Sequence, residues 1–155
     1  MFTNNINQGT FINMGSESSS FIFQTPNWKV VLNDNQKYLG RLVIILNRPC
    51  GDLAEVTEPE MLDFLHIVKI TETALTQVFA ATMFNWACAM NLAYRETPPN
   101  PQVHWHCIPR YDHPVKFADQ VFTDAEFGSR NANEVENVSP EVFSKIALAL
   151  RERFS

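Results

Sequence analysis

From Phe21 onward the chain alternates short apolar runs with polar turns. The runs FIFQ and WKVVLN, separated by Thr25-Pro26-Asn27, predict two short β-strands around a turn. A polar stretch over 34–40 closes in Gly40, and RLVIILN follows with enough Val, Ile and Leu to predict a buried third strand. Thr57-Glu58-Pro59-Glu60 then has the form of a capping box, with a Pro in the first turn. Met61, Leu62, Leu65, Val68, Ala74, Leu75 and Val78 recur at spacings of three and four, which predicts a helix from Pro59 to Phe79 with these residues on its apolar face. His66 lies inside that helix and reads as a surface or packing residue. MFNWACAMNL is β-prone, AYRETPPNP is a loop whose prolines exclude helix and central strand, and QVHWHCI is a strand bounded by Pro101 and Pro109. The remainder is polar and turn-rich until Ser139-Pro140-Glu141 opens a terminal helix reaching Phe154. The order of elements predicts an α+β fold with a mostly antiparallel sheet. Residues 1–20, rich in Asn, Ser and Gly, read as a flexible N-terminal arm, and 21–155 as a single domain.

Composition narrows the function classes. A length of 155 residues suits one domain, and 45% hydrophobic against 19% charged residues describes a globular chain able to bury a core. A formal charge of −5 argues against non-specific coating of nucleic acid. The longest apolar run, Leu42 to Leu46, is far short of the ~20 residues of a membrane-spanning helix. The first twenty residues carry no basic residue and no apolar segment of signal-peptide length, and three cysteines (Cys50, Cys88, Cys107) form no disulfide framework. These features lead to the expectation of a cytoplasmic protein with no membrane and no nucleic-acid partner.

Candidate chemistry concentrates in QVHWHCI. Strand alternation puts Gln102, His104 and His106 on one face and Val103, Trp105 and Cys107 on the other. Histidines two apart on a strand lie ~6.5 to 7 Å apart at the backbone, close enough to address neighbouring atoms of one ligand. Three readings follow from the residues alone. A neutral imidazole can attack phosphorus and carry it covalently. Two imidazoles on one face can ligate a transition metal, with His113 as a third ligand. The pair can also be a polar patch without chemistry.

Gln102-Val103-His104-Trp105-His106-Cys107-Ile108, followed by Pro109-Arg110-Tyr111, resembles the signature of the histidine triad (HIT) family, His-φ-His-φ-His-φ-φ, with Gln in place of the first His. Upstream, Asn33 lies seven residues before Gly40, matching an Asn-to-Gly spacing of that family, and Asn91 lies thirteen residues before His104, where the family has Asn or Gln. The resemblance covers about Phe21 to Asp112. It implies a HIT-like fold: a five-stranded antiparallel sheet, a long helix packed on it, and here a C-terminal helical extension.

The resemblance also implies a mechanism and roles. His104 matches the nucleophile that attacks the α-phosphorus of a nucleotide ester, anhydride or phosphoramidate, of the dinucleoside polyphosphate kind, forming a covalent nucleotidyl-histidine that water then releases. The chain is thus expected to be a nucleotide hydrolase or nucleotidyl transferase, an enzyme acting on acid anhydrides or P–N bonds. His106 matches the histidine at phosphate or leaving-group oxygens, Asn33 a ribose contact, and Asn91 a polar contact on the phosphate side. The backbone carbonyl of the first triad position orients the nucleophile's other ring nitrogen, work that Gln102 can do as well as His. Arg41 replaces the family's His after Gly40 and offers a permanent donor fork to phosphate. The loop Glu96-Thr97-Pro98-Pro99-Asn100-Pro101 replaces donors with prolines, leaving Thr97 and Asn100 as its phosphate contacts. No cofactor is required for covalent attack, Mg²⁺ is compatible with a polyphosphate substrate, and a homodimer is implied by resemblance alone. The alternative classes are a non-catalytic nucleotide-binding domain and a His-x-His metalloenzyme.

Several further residues carry expectations. Trp86 and Trp105 belong in the core, whereas Trp28, Phe21 and Phe23 are candidates for an apolar wall against a base. Arg110 makes either a phosphate contact or an ion pair with Asp112. Cys50 and Cys88 read as packing residues, and Cys107 points away from His104.

Overall fold

The computed structural model describes residues 18–129 and 136–154. Strands β1 (Phe21–Gln24), β2 (Trp28–Leu32), β3 (Leu42–Leu46), β4 (Met83–Ala87) and β5 (His104–Arg110) form one sheet in the order β1-β2-β3-β5-β4. Every neighbouring pair is antiparallel. Helix α1 (Glu58–Phe79) packs on one face, helix α2 (Pro140–Arg151) lies against β1 and α1, and a small hairpin, β6 (Val115–Phe117) and β7 (Gln120–Phe122), follows β5. The expected α+β architecture, with its five-stranded antiparallel sheet, long helix and C-terminal helix, is the architecture observed.

β3 reads LVIIL and is buried at all five positions, because it lies at the centre of the sheet and is covered on both faces. Leu42, Ile44 and Leu46 join Trp28, Val30 and Leu32 in the main core under α1, while Val43 and Ile45 join Val31 in a second apolar cluster on the opposite face. The helix buries Phe64, Ile67, Thr71, Ala74, Leu75 and Phe79. Met61, Leu62 and Leu65, placed on the apolar face by their spacing, are instead exposed. The first half of α1 offers two apolar stripes, and the one carrying Phe64 is buried because that ring completes an aromatic cluster. Its centroid lies 5.2 Å from Trp28, 5.6 Å from Trp86 and 4.8 Å from Trp105. Trp86 and Trp105 thus pack against the core, partly buried, on the side expected. Trp28 is fully buried with its Nε1 donating to the Glu60 carbonyl at 2.8 Å.

Two sequence boundaries move. β5 runs through Pro109 to Arg110. The Thr82 amide donates to the Arg110 carbonyl, so the polar groups of Pro109 face the other side, where the β3 ladder has already ended at the Leu42–Cys107 pair and no donor is missed. The β6–β7 hairpin lies in a segment that reads as a loop, because its turn residues Ala118 and Asp119 adopt φ of 49° and 61° without the Gly or Asn that ordinarily marks such a turn.

Residues 18–20 are docked: the Ser20 carbonyl accepts from the Leu32 amide at 2.7 Å and the Ser19 carbonyl from Arg151 at 2.7 Å. The rest of the expected flexible arm, residues 1–17, lies outside the described residues. Among the described residues no helix is long and apolar enough to cross a membrane.

The turn joining β2 to β3 runs against α1. Gly40 has φ of +80°, and a Cβ there would stand 2.6 Å from Leu75 Cδ2 and 3.1 Å from the Phe79 ring. Both the left-handed backbone and the close approach require glycine. Gly40→Ala is expected to lower unfolding free energy by ~2 kcal/mol or more, combining the left-handed penalty with overpacking. Urea denaturation checks this, and a loss below ~0.5 kcal/mol would contradict the packing described.

Candidate active site

The cross-strand register assembles the site. On the sheet face opposite α1, one row reads Phe21, Val31, Val43, His106 and Ala87, and the next reads Gln24, Lys29, Ile45 and His104. Residues paired across a ladder share a face, so both histidines stand beside the second apolar cluster of Val31, Val43 and Ile45. The Asn33 amide donates to the Arg41 carbonyl at 3.0 Å and carries the β2–β3 ladder one pair further, which places Asn33 and Arg41 on the same face. The register thereby gathers His104, His106, Asn33 and Arg41.

His104 is buried, and its Nδ1 lies 2.8 Å from the Gln102 carbonyl. A carbonyl only accepts, so Nδ1 carries the proton and the lone pair resides on Nε2. Burial lowers the pKa of His104 and the Gln102 carbonyl partly offsets this. The His106 ring lies edge-on to His104 with centroids 5.1 Å apart. Its pKa is pushed down to about 3 by burial, then by His104 and by the Arg41 guanidinium. Both imidazoles are therefore neutral at pH 7. The His106 Nδ1 and the Arg41 Nε are buried without a hydrogen-bond partner among the described residues. Burial also lowers Arg41, with Tyr38 acting in the opposite sense.

Gln102 serves the site from behind. Its Nε2 donates to the Leu46 and Arg48 carbonyls at 2.8 and 3.0 Å, and its Oε1 accepts from the Cys50 amide at 3.2 Å. The side-chain amide is thus spent inside the fold. Placing Gln102 among substrate contacts gives way to a positioning role through its carbonyl. Asn33 spends its Oδ1 on the Asn35 amide at 2.8 Å. Asn91, Thr97 and Asn100 are exposed on the 3₁₀ turn and loop between β4 and β5, outside the ladder that carries the histidines.

Other expectations are corrected. Trp28 and Phe23 belong to the α1 side, where Phe23 meets Phe154 at 4.1 Å between ring centroids. A register shift between Phe21 and Phe23 places Ile22 and Phe23 together on that side and leaves Phe21 alone on the histidine face. The apolar side chains beside the histidines are instead Val31, Val43 and Ile45, all three buried, which the parity they share with Asn33 and Arg41 could have revealed. Arg110 pairs with Asp124, not Asp112: Nε and Nη2 reach the carboxylate at 2.6 and 2.9 Å, with both side chains buried. Asp112 accepts from Thr82 and from exposed His113. His113 therefore stands away as a surface partner of Asp112, and no group of three or more His, Cys, Asp or Glu able to hold a metal occurs among the described residues. Cys107 is buried on the α1 side, as its alternation implies.

The comparisons agree with this fold. A family model described as the HIT domain matches residues 15–113. No curated protein matches the chain. Among solved structures, a Hit-like protein involved in cell-cycle regulation from Bartonella henselae, with an unknown ligand, is 14% identical over 99% of each chain with a TM-score of 0.64. A zinc-bound histidine triad family protein from Mycobacterium smegmatis is 15% identical, with 92% of this chain and 91% of that one covered and a TM-score of 0.60. Plasmodium falciparum diadenosine triphosphate hydrolase, in complex with Cyclomarin A, is 15% identical over 91% of this chain and 86% of its own, with a TM-score of 0.60. Such identities speak for the fold, whereas the family model spans well over half of the sequence: the chain belongs to the histidine triad (HIT) family.

Proposed function

We propose that the chain is a nucleotide hydrolase or nucleotidyl transferase acting at the α-phosphate of a nucleotide ester, anhydride or phosphoramidate. The observation that carries this reading is the Gln102 carbonyl on His104 Nδ1, which leaves an unprotonated Nε2 on the face shared with His106, Arg41 and Asn33. Nε2 attacks the α-phosphorus, an N–P bond forms, and the bond to the leaving group breaks with its electron pair departing on oxygen or nitrogen. Water then attacks the same phosphorus, the N–P bond returns its electrons to Nε2, and a nucleoside monophosphate is released. The Nδ1–H bond to Gln102 fixes the ring and stabilises the charge it acquires while phosphorylated.

Arg41 and His106 supply the electrophilic side. A half-buried guanidinium with no carboxylate partner among the described residues is matched by an anion, and phosphate oxygens fit its fork. His106 is held neutral in the free protein by burial, by the adjoining His104 ring and by the Arg41 guanidinium; phosphate charge works against that balance and favours a proton-donating imidazole at the leaving group. Asn33 retains its Nδ2 for a ribose oxygen, and the buried Val31, Val43 and Ile45 form the apolar layer behind the histidine face. A dinucleoside polyphosphate-like substrate, the class named for the Plasmodium neighbour, suits this anion site. Mg²⁺ would accompany such a substrate on its own phosphates. A homodimer is part of the same proposal: β4 forms an edge of the sheet with Met83, Asn85 and Ala87 exposed, an open ladder for a second chain. Sedimentation at micromolar concentration distinguishes dimer from monomer.

The test is incubation with diadenosine polyphosphates, an adenosine phosphoramidate and a sugar nucleotide, with monophosphate followed by chromatography. His104→Ala is expected to abolish release while leaving mononucleotide affinity within ~tenfold, because the nucleophile acts in the transition state. Binding without release in the wild-type chain would instead identify a non-catalytic nucleotide-binding domain. Gln102→His keeps the carbonyl but sacrifices buried side-chain bonds, so it is expected to change rate modestly and to lower stability by ~1 to 3 kcal/mol; restoration of activity from nothing would refute the role given to the carbonyl.

The histidines also leave a thermodynamic trace. Folding holds His106 at about 3, below its unfolded value near ~6.5, so unfolding takes up a proton between those values. Stability is full above the unfolded pKa and falls as pH drops through the window, by up to ~1.4 kcal/mol per pH unit per histidine. Urea denaturation between pH 7.5 and 5 is expected to show this slope, and His106→Asn to flatten it. An unchanged slope in the variant would contradict a neutral buried imidazole.

A further inference from the structure

The loop between Asn33 and Arg41 has to fold back over seven residues, longer than the two to five typical of hairpins, and such loops do not by themselves fix the relation of their ends. Its centre is filled by Gln36, a residue absent from the site roles considered so far. Gln36 is buried, and all its side-chain hydrogen bonds go to this loop's own backbone: Nε2 donates to the Asn33 carbonyl at 2.6 Å and to the Arg41 carbonyl at 3.0 Å, while Oε1 accepts from the Gly40 amide at 2.8 Å. The two carbonyls belong to the residues whose side chains stand on the histidine face. The Arg41 carbonyl receives both Gln36 and the Asn33 amide, so one side chain and one ladder bond together fix the separation of those two residues.

The loop is also clasped from outside. The Gln36 amide donates to the Glu136 carbonyl at 3.0 Å, the Glu136 amide donates to Asn35 Oδ1 at 3.2 Å, and Asn35 forms an isolated antiparallel bridge with Asn137. Lys37 reaches Glu126 at 3.5 Å, and the Arg110 guanidinium, fixed by Asp124, lies over the Tyr38 ring at 4.7 Å. Residues 124, 126, 136 and 137 all lie beyond the family match, which ends at 113. The extension therefore grips the loop that carries Asn33 and Arg41, and Gln36 is the point at which outer clasp and inner bonds meet.

We propose that Gln36 is a positioning residue for nucleotide binding: through the Asn33 and Arg41 carbonyls it sets the spacing of the ribose-side amide and the phosphate-side guanidinium, with the 136–137 segment bracing it from behind. This rests on the proposed nucleotide reading of the site. Because the Gln102–His104 bond shares no hydrogen bond with Gln36, loss of the Gln36 bonds acts on substrate affinity and leaves the chemistry of the bound substrate largely intact.

The experiment compares Gln36→Leu and Gln36→Glu with wild type and with Leu150→Ala, a core truncation at the far end of α2 that lowers stability without removing a Gln36 hydrogen bond. Glutamate keeps the acceptor for Gly40 but cannot donate to the two carbonyls at neutral pH, so it isolates the donors and serves if the leucine variant fails to fold. Both variants are expected to raise KM by ~tenfold with kcat within ~threefold, and to weaken adenosine monophosphate binding by a similar factor in calorimetry, while Leu150→Ala leaves KM and binding unchanged. KM and binding equal to wild type, or a loss confined to kcat, overturns the proposal. If the wild-type chain binds adenosine monophosphate without turnover, the hydrolase reading fails and the binding ratio alone decides for or against Gln36. If the wild-type chain does not bind the nucleotide, both readings are overturned.

Discussion

The placement of β3 between β2 and β5 is the constraint on which the rest depends. A strand has a side-chain period of two, so one register sends Leu42, Ile44 and Leu46 into the core under α1 and, with no further freedom, sends Val43 and Ile45 to the face of the histidines. A slip of one residue would put His104 and His106 against Phe64 and Trp28, burying two imidazoles among apolar groups. The same parity then reaches past the strand ends to Asn33 and Arg41 through the amide–carbonyl bond between them. The site is thus a by-product of the core's own demand for a register, which is why so short a signature can specify it.

Within that frame the electrostatics favour anions. The face carries two neutral imidazoles and a half-buried guanidinium, while elsewhere in the fold Glu60 pairs with Arg48, Asp124 with Arg110 and Glu72 with Trp86. Glu60 is held at about 2 chiefly by Arg48, whereas burial alone would raise Asp124 and Arg110 brings it below the usual carboxylate range. In a chain of net charge −5, the Arg41 guanidinium gives this face a positive charge that the proposed phosphate-bearing ligand would match.

Much of this is legible in one sequence, for identifiable reasons. The helix from Thr57 onward announces itself by its capping box, in which Glu60 accepts from the Thr57 amide at 2.8 Å. The His104 and His106 face follows from alternation, and Asn33 and Arg41 follow from their spacing to Gly40 and from the resemblance. The phase of α1 was not legible, since Met61, Leu62 and Leu65 satisfy the same periodicity as Phe64, Ile67 and Thr71, and the aromatic cluster that decides between them is tertiary. The bulge near Ile22, which separates Phe21 from Phe23, leaves no mark in composition. The hairpin turning at Ala118-Asp119 lacks its customary residues. Arg110 finds its acid fourteen residues on, across that hairpin, while Asp112 stands nearer in sequence. The carbonyl of Gln102 could be assigned from the family pattern, but the use of its side chain on Leu46, Arg48 and Cys50 depends on contacts more than fifty residues apart.

The central claim is that His104 Nε2 carries the nucleotidyl group. Its most direct test is to mix the protein with a diadenosine polyphosphate, quench in alkali, where N-phosphorylated histidine survives, and measure the masses of its peptides. The account predicts a nucleoside-monophosphate adduct on the peptide containing His104, localised to that residue by fragmentation. Monophosphate release at full rate with no adduct, or an adduct on His106 instead, would contradict it.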